Sequence, residues 1–233
     1  MTEKSDVDEI SGTETDQKGG GKQPNVDLWQ MLDPVDALSN AHYGQLVDAL
    51  KKVLEKDANI NVASVAAKCL TGICQGLRKK FSAIVPSLAP ALFDKFKEKK
   101  PFCVIHCFEC VDVVCATTRK FFLAKVHIVV AISKPNPDIK KQMDLLLYRL
   151  IRDIKPDQMP KKLSKELMPI LAKHTADPDA EVRDASCAAL GAIMKCIGQK
   201  AALAMFSTLV TDKTKISRIE EFWKKAIEES DEC

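Results

Sequence analysis

In 233 residues the chain combines 46% hydrophobic and 29% charged residues with only 6% aromatic, enough for a buried core but a poor composition for sheets, which lean on aromatic and β-branched side chains. No run reaches the roughly 18 apolar residues of a membrane span; the best, 121–132, is short and contains Lys125 and His127. The formal net charge of +3 is unevenly spread: residues 1–25 carry −3 and 228–233 carry −4, which leaves +10 on 26–227 and suits that body to an acidic partner.

Residues 1–25 are acidic and Gly-rich, lack an apolar signal-peptide core and read as a disordered tail, with 26–229 as one domain and 230–233 as a short acidic tail. The stretch 29–38 (WQMLDPVDAL) is an apolar lead-in broken at Asp33-Pro34, expected to pack on the first helical pair. Helices then come in pairs. The first runs over 42–55 with Leu46, Ala49, Leu50, Val53 and Leu54 inward, turns at 56–59 and returns over 60–77. A second pair spans 81–97, interrupted by Pro86 and Pro90, and 102–117; a third spans 119–132 and 138–154. The fourth spans 161–174 and a helix opened by Asp177, Pro178 and Asp179, whose acidic groups suit a helix N-terminus. Residues 198–210 and 214–229 form a closing hairpin anchored by Trp223.

The helix after Asp179 supplies a ruler. Val182, Ala185, Ser186, Ala189, Leu190 and Ile193 fall at spacings of three and four, the stripe of a buried helix face built largely of small residues. The same stripe lies on Val62, Val65, Ala66, Cys69, Leu70 and Ile73, on Val104, Cys107, Phe108, Val111 and Cys115, and on Ile139, Met143, Leu146, Leu147 and Leu150, with Asp112 and Gln142 as misfits. Anchors at 62, 104, 139 and 182 lie 42, 35 and 43 residues apart, the period of an all-α solenoid of HEAT repeats.

Chemistry has little support. Cys103, Cys107 and Cys110 lie at i, i+4 and i+7 on one helix, so with Cys115 they read as core rather than as a zinc site, which needs ligands converging from separate segments. Nine cysteines, mostly within helical patterns, fit a reduced cytoplasmic compartment. No nucleophile elbow, phosphate loop or dinucleotide fingerprint occurs, and Gly19, Gly20 and Gly21 sit in the tail without a strand before them. His42 and His174 fall near helix ends, where solvation is expected, while His106 and His127 are scattered within helices. The expectation is a non-enzyme without cofactor or metal.

The turns are different, because equivalent turns of a solenoid line up along one edge. Residues 56–59, 98–101, 133–138 and 177–179 would form a ridge carrying Lys56, Asn59, Lys99, Lys100, Lys134 and Asn136, with Lys140 and Arg183 one position past their stripe anchors. Arg183 stands out, since a guanidinium at a helix start can bond a partner carboxylate and the neighbouring acidic caps together. Without interleaved aromatics the ridge does not resemble a nucleic-acid surface.

The phrases VDALKKVLEKDANINVASVAAKCLTGICQGLRKKF, PSLAPALFDKFKEKKP and DAEVRDASCAALGAIMKCIGQKA, preceded by LDPVDALS, resemble the TOG (tumour-overexpressed-gene) domain of the Mini spindles type of microtubule polymerase. The resemblance implies a paddle of HEAT repeats whose intra-repeat turns bind the αβ-tubulin heterodimer without hydrolysing nucleotide, in the cytoplasm at microtubules, spindle and centrosome. It maps one turn onto Lys56, Asp57 and Asn59, the next onto Lys99 and Lys100, then Lys134, Asn136 and Lys140, and the last onto Arg183. The family's first helical pair looks missing here, because Ser39 runs directly into Asn40, Ala41, His42 and Tyr43, which resemble the start of the second pair. Trp29 is in the lead-in and does not take the role of that pair's tubulin-facing Trp. Loss of that repeat is expected to expose an apolar face on the first remaining hairpin. A lone domain of this kind is expected to be a monomeric tubulin binder rather than a polymerase; the alternative is a HEAT adaptor for another acidic protein.

Overall fold

Among the described residues, short polar turns alternating with apolar-striped segments fold as ten α-helices and no strand. The computed structural model describes residues 43–123, 127–156 and 158–231; the N-terminal tail, the lead-in, His42 and the junction at 39–42 lie outside them. The helices are α1 (Tyr43–Lys56), α2 (Ile60–Leu77), α3 (Val85–Asp94), α4 (Pro101–Leu123), α5 (His127–Ile132), α6 (Pro137–Arg152), α7 (Lys161–His174), α8 (Ala180–Ile197), α9 (Gln199–Leu209) and α10 (Lys213–Asp231). The first eight pair in chain order as an all-α HEAT solenoid, whereas the expected closing hairpin does not form a packed pair: α9 lies on α8 and α7, and α10 on α8 and α6. The second helices of the pairs stack, α2 on α4, α6 on α8 and α8 on α10.

Local chemistry explains the helix starts. Asn59, Asn136 and Asp179 each adopt an extended backbone and accept from backbone N–H groups of the turn they open, capping α2, α6 and α8. Asp212 does the same for Thr214 in α10. The ranges 60–77 and 161–174 coincide with α2 and α7. Residues 81–97 do not form one helix: α3 is flanked by 3-10 turns at Arg78–Ala83 and Lys95–Lys97. Pro86 sits in its first turn, where a missing N–H costs nothing, whereas Pro90 lies inside it. The break expected near 118 is absent. α4 continues to Leu123, and α5 is correspondingly short. Thr117 stays helical, its hydroxyl donating to Val113 O at 2.9 Å and meeting Cys74 Sγ at 3.4 Å.

The apolar ruler holds best where neighbours surround the helix. All six stripe residues of α8 are buried, because α6, α7 and α10 pack around it. At α2 the buried arc is rotated: Ala63, Ala66, Ala67, Leu70 and Cys74 are buried while Val62 (41%) and Val65 (57%) are exposed. In α1, Val47 and Leu54 are buried, and Leu46, expected inward, is 48% exposed. These helices have neighbours on fewer sides among the described residues, so each turns its most enclosed face toward those it has. Leu46, Val62 and Val65 thus leave apolar surface on the first hairpin. By length and composition Ile60–Ala83 is apolar enough to cross a membrane, although its helix packs on α1 and α4.

The small-residue stripe serves close approach. A Cβ on Gly191 in α8 would lie 2.7 Å from the Trp223 backbone N and 2.9 Å from Phe222 atoms, so α10 crosses α8 backbone to backbone. Trp223 packs half-buried against the core, as the sequence suggested. Cys103, Cys107, Cys110 and Cys115 are all buried, and burial pushes the Cys110 thiol up to about 12 and Cys107 higher still. No group of three or more His, Cys, Asp or Glu side chains is placed to hold a metal among the described residues.

The expectation of a solvated His174 is corrected. The residue is 6% exposed at the end of α7, with Nδ1 2.9 Å from the fully buried Asp144 carboxylate of α6. A histidine at a helix end remains in water only if no neighbouring helix covers that end, and here α6 covers it.

Candidate functional site

The turn ridge is built from caps, cations and cross-links between successive repeats. In the first turn Asp57 accepts from the backbone N–H of Asn59 at 2.8 Å, and Asn59 in turn accepts from Asn61 N at 3.0 Å. Both side chains therefore shape the turn, and Lys56, the last residue of α1, is exposed beside them. In the second turn Lys99 and Lys100 are exposed just ahead of Pro101, and the Lys100 carbonyl accepts from Cys103 N. None of Lys56, Lys99 or Lys100 enters an ion pair among the described residues.

Farther along, the predicted cations turn inward. Lys134 donates to the Asp94 carboxylate at the end of α3. Lys140, on the first turn of α6, donates to Asp177 Oδ2 at 2.7 Å with both side chains largely covered, 19% and 9% exposed. Lys141 reaches Glu181 at 2.7 Å in the same direction. Arg183 bonds its own turn, its Nη1 donating to the carbonyls of Asp177 at 2.9 Å and Pro178 at 2.8 Å. The expected contact with acidic caps is thus made to backbone oxygens instead. Asn136 is occupied as the cap of α6, accepting from Ile139 N at 3.1 Å.

These cross-links join the turns into one edge, from Asp94 through Lys134 and Lys140 to Asp177 and Arg183. The Lys140 ammonium holds the Asp177 carboxyl below its usual range. Beneath this turn lies the buried Asp144–His174 pair, in which burial raises Asp144 to about 6 against the opposing pull of the His174 bond. His174 and Asp144 clamp the end of α7 onto α6, and so place the turn that carries Arg183. Spacing could not reveal this pair, whose members lie 30 residues apart. The last turn, 210–212, falls where the sequence placed the closing turn but was not counted in the ridge; it carries the exposed Thr211, followed by Lys213 at the start of α10.

The chain as a whole is similar to known proteins. A HEAT repeat model matches residues 167–197, the end of α7 and all of α8. Zygote defective protein 9 of Caenorhabditis elegans is 48% identical over 199 residues, which are 85% of this chain and 14% of that protein. Protein mini spindles of Drosophila melanogaster is 37% identical over 199 residues, 85% of this chain and 10% of that protein, so the chain spans a small part of the length of either relative. Among solved structures, a chain studied for microtubule plus end tracking by XMAP215, CLIP-170 and EB1 superposes with a TM-score of 0.73 at 38% identity, covering 81% of this chain and 77% of that one. A chain from work on microtubule polymerases with TOG domain arrays gives the same TM-score, 0.73, at 23% identity over 81% of this chain and 39% of its own, a likeness of fold. Identity of 38% over most of a solved domain, with the same helical-repeat fold, establishes that the chain belongs to the TOG-domain family of HEAT solenoids represented by Mini spindles and XMAP215.

Proposed function

We propose that the chain binds the αβ-tubulin heterodimer through its turn edge and serves the control of microtubule growth at spindle and centrosome. The observation that carries this reading is the division of labour along the edge. Lys134, Lys140 and Arg183 are held by intramolecular bonds that fix the turns relative to one another, while Lys56, Lys99 and Lys100 stand exposed and unpaired among the described residues. A pre-set row of turns loses little conformational freedom on binding, and exposed ammonium groups steer and hold an acidic surface. Asp57, Asn59 and Asn136 contribute by shaping the turns that carry these groups. The relatives named for spindles and for TOG arrays of microtubule polymerases support the choice of tubulin over another acidic protein.

Purified tubulin and light scattering test it. A complex is expected that weakens as salt rises, because exposed charges are screened within about 10 Å at 0.1 M salt. The double change Lys99→Glu with Lys100→Glu is expected to weaken it about tenfold or more while leaving the helical circular dichroism unchanged, since both side chains are exposed. Absence of any complex at roughly tens of micromolar would exclude tubulin as the partner. Unchanged affinity in the double variant would move the contact off this edge. Reversing Arg183 is the less clean experiment, because its Nη1 also holds the turn.

A further inference from the structure

Most of the positive charge of the body lies away from the turn edge. The four turns of that edge, 56–59, 98–101, 133–138 and 177–179, hold four Lys against five Asp and Glu. The segments around the junctions from one helical pair to the next, 78–84, 118–127, 153–162 and 195–200, hold eleven Lys and Arg against two Asp. Their described parts lie along the opposite edge of the solenoid, because α2, α4, α6 and α8 all start at the turn edge and end away from it. For the 18 residues of α2 that separation is about 27 Å. Cross-links hold the helix ends side by side: Cys74 Sγ lies 3.4 Å from Thr117 Oγ1, Lys195 Nζ donates to Arg152 O at 2.5 Å and Cys196 Sγ donates to Ile151 O at 3.4 Å. α9 starts beside them and packs on α7 and α8.

The cations of this second edge are open to a partner. Arg78, Lys79, Lys80, Lys155, Lys161 and Lys200 are exposed, and none of them enters an ion pair among the described residues. The side chain of Lys162 is 90% exposed and meets only Glu166, at 3.9 Å. Asp153 is already engaged by Arg152 at 3.1 Å, so it does not neutralise the row. The first junction is also braced. Phe81 is fully buried and pins the 3-10 turn Arg78–Ala83 to the core, which holds the three cations outward. Arg78 adopts φ 48° and ψ −123°, and is the one non-glycine with positive φ among the described residues. Glycine is the residue that takes such a conformation without steric cost, so a strained cation stands where a neutral residue would fit better.

We propose that this second edge is a docking surface for an extended, Glu- or Asp-rich segment of a protein partner, which runs across the helix ends from Arg78, Lys79 and Lys80 to Lys155 and Lys161. The uncompensated charge selects an acidic partner, and the make-up of the edge selects a polypeptide. Phe81 is buried and cannot stack on a base, and lysines, which are point charges, outnumber the single described arginine that could fork onto a phosphate. None of the large exposed apolar side chains falls in these segments, so the edge has nothing to insert into a membrane. The ends of α2 and α6 are two helix contacts apart, about 20 Å, which six or seven residues of extended chain span at about 3.3 Å each. The surface is separate from the turn edge, and the proposal does not rest on the tubulin reading.

The test uses the full chain without tubulin and fluorescein-labelled decaglutamate, with a ten-residue Gln-Gly repeat as the uncharged control. Decaglutamate is expected to bind saturably and more weakly as salt rises, and the control not to bind. Arg78→Gly combined with Lys79→Gln and Lys80→Gln is expected to weaken binding about fivefold or more, since exposed ion pairs are individually weak and act here as a group. Glycine relieves the strain at position 78, so this variant is expected to melt close to the parent. Lys161→Gln with Lys162→Gln, also exposed, is a second variant with the same expected loss. Lys99→Glu with Lys100→Glu, on the far edge, is expected to leave affinity within about twofold, because salt screens charges over that distance. No saturable binding, unchanged affinity in either variant of this edge, or an equal loss in the turn-edge variant would overturn the proposal. Tighter binding of a labelled ten-nucleotide oligothymidylate or of phosphatidylserine vesicles than of decaglutamate at the same salt would overturn it too, since the edge would then serve a nucleic acid or a membrane.

Discussion

Gly191→Leu is expected to be among the most damaging single changes in this chain, lowering stability by about 3 kcal/mol or more and the melting temperature by roughly 6 to 12 °C. The cause is backbone contact. A Cβ at this position would sit 2.7 Å from Trp223 N and 2.9 Å from Phe222 C, and backbone of a packed helix cannot move aside as a flexible side chain can. α10 would have to lift off α8, exposing the buried Ile219 and Ala226 of α10. Gly72→Ala is the matched control. It is also helical, in α2, but has nothing within 4 Å of an added Cβ, so the change is expected to stabilise by up to about 1 kcal/mol through helix propensity alone. Thermal denaturation of the two variants side by side decides the matter: if Gly191→Leu melts with the parent, α10 does not cross α8 at this glycine.

The second large effect belongs to the buried Asp144–His174 pair. His174→Leu leaves the Asp144 carboxyl fully buried with neither oxygen bonded, since Oδ1 already lacks a partner, and is expected to cost about 3 kcal/mol or more. Replacing both residues by Leu removes the uncompensated polar group and is expected to restore much of the loss, so a double-mutant cycle should show strong coupling. The pH dependence has a definite sign. Asp144 is raised by burial from an ordinary value near 3.8 to about 6, with His174 and Lys140 pulling it down and Asp177 pushing it up. The folded state therefore holds a proton that the unfolded chain has released, and this contribution to stability is lost as pH rises from about 4 through about 6. Asp177, lowered chiefly by its bond from Lys140, acts oppositely, its contribution being lost as pH falls through its folded value. Comparing urea unfolding of the parent and Asp144→Asn from pH 4 to 7 isolates the first term, because both proteins keep Asp177. Parallel stability curves would show that Asp144 does not titrate in this window. Because the pair clamps the end of α7 under the Arg183 turn, the same substitution is expected to weaken partner binding at the edge as well as the fold.

Particular elements show where sequence reasoning succeeds. α2 and α7 were bounded to the residue because each is set by short-range signals: Asn59 caps the first, and the second begins directly after Pro160. α8 matched its stripe at every position because helices pack around it and its small residues admit them. The same stripe failed on α2, since a helix with neighbours on fewer sides buries whichever arc those neighbours touch, and Val62 and Val65 lie outside it. The continuation of α4 past Thr117 was likewise hidden, because a threonine whose hydroxyl bonds back into its own helix and onto Cys74 no longer competes with helix formation.

By itself the sequence determined the all-α class, the repeat period and the order of the turns, because caps and apolar spacing act within a few residues of chain. It also put Lys56, Lys99, Lys100, Lys134, Lys140 and Arg183 on one row. Only the tertiary structure divided that row into exposed cations and internal braces. Lys134 and Lys140 find their carboxylates 40 and 37 residues away, across the contact between successive repeats. Asp144 meets His174 by the same route, and the two arginines of α6 differ for the same reason, Arg152 being answered by Glu229 from α10 while Arg149 is left over Phe108 without an aligned acceptor. Electrostatic partnership depends on distance in space and on removal from water, and both are set only when the helices stack.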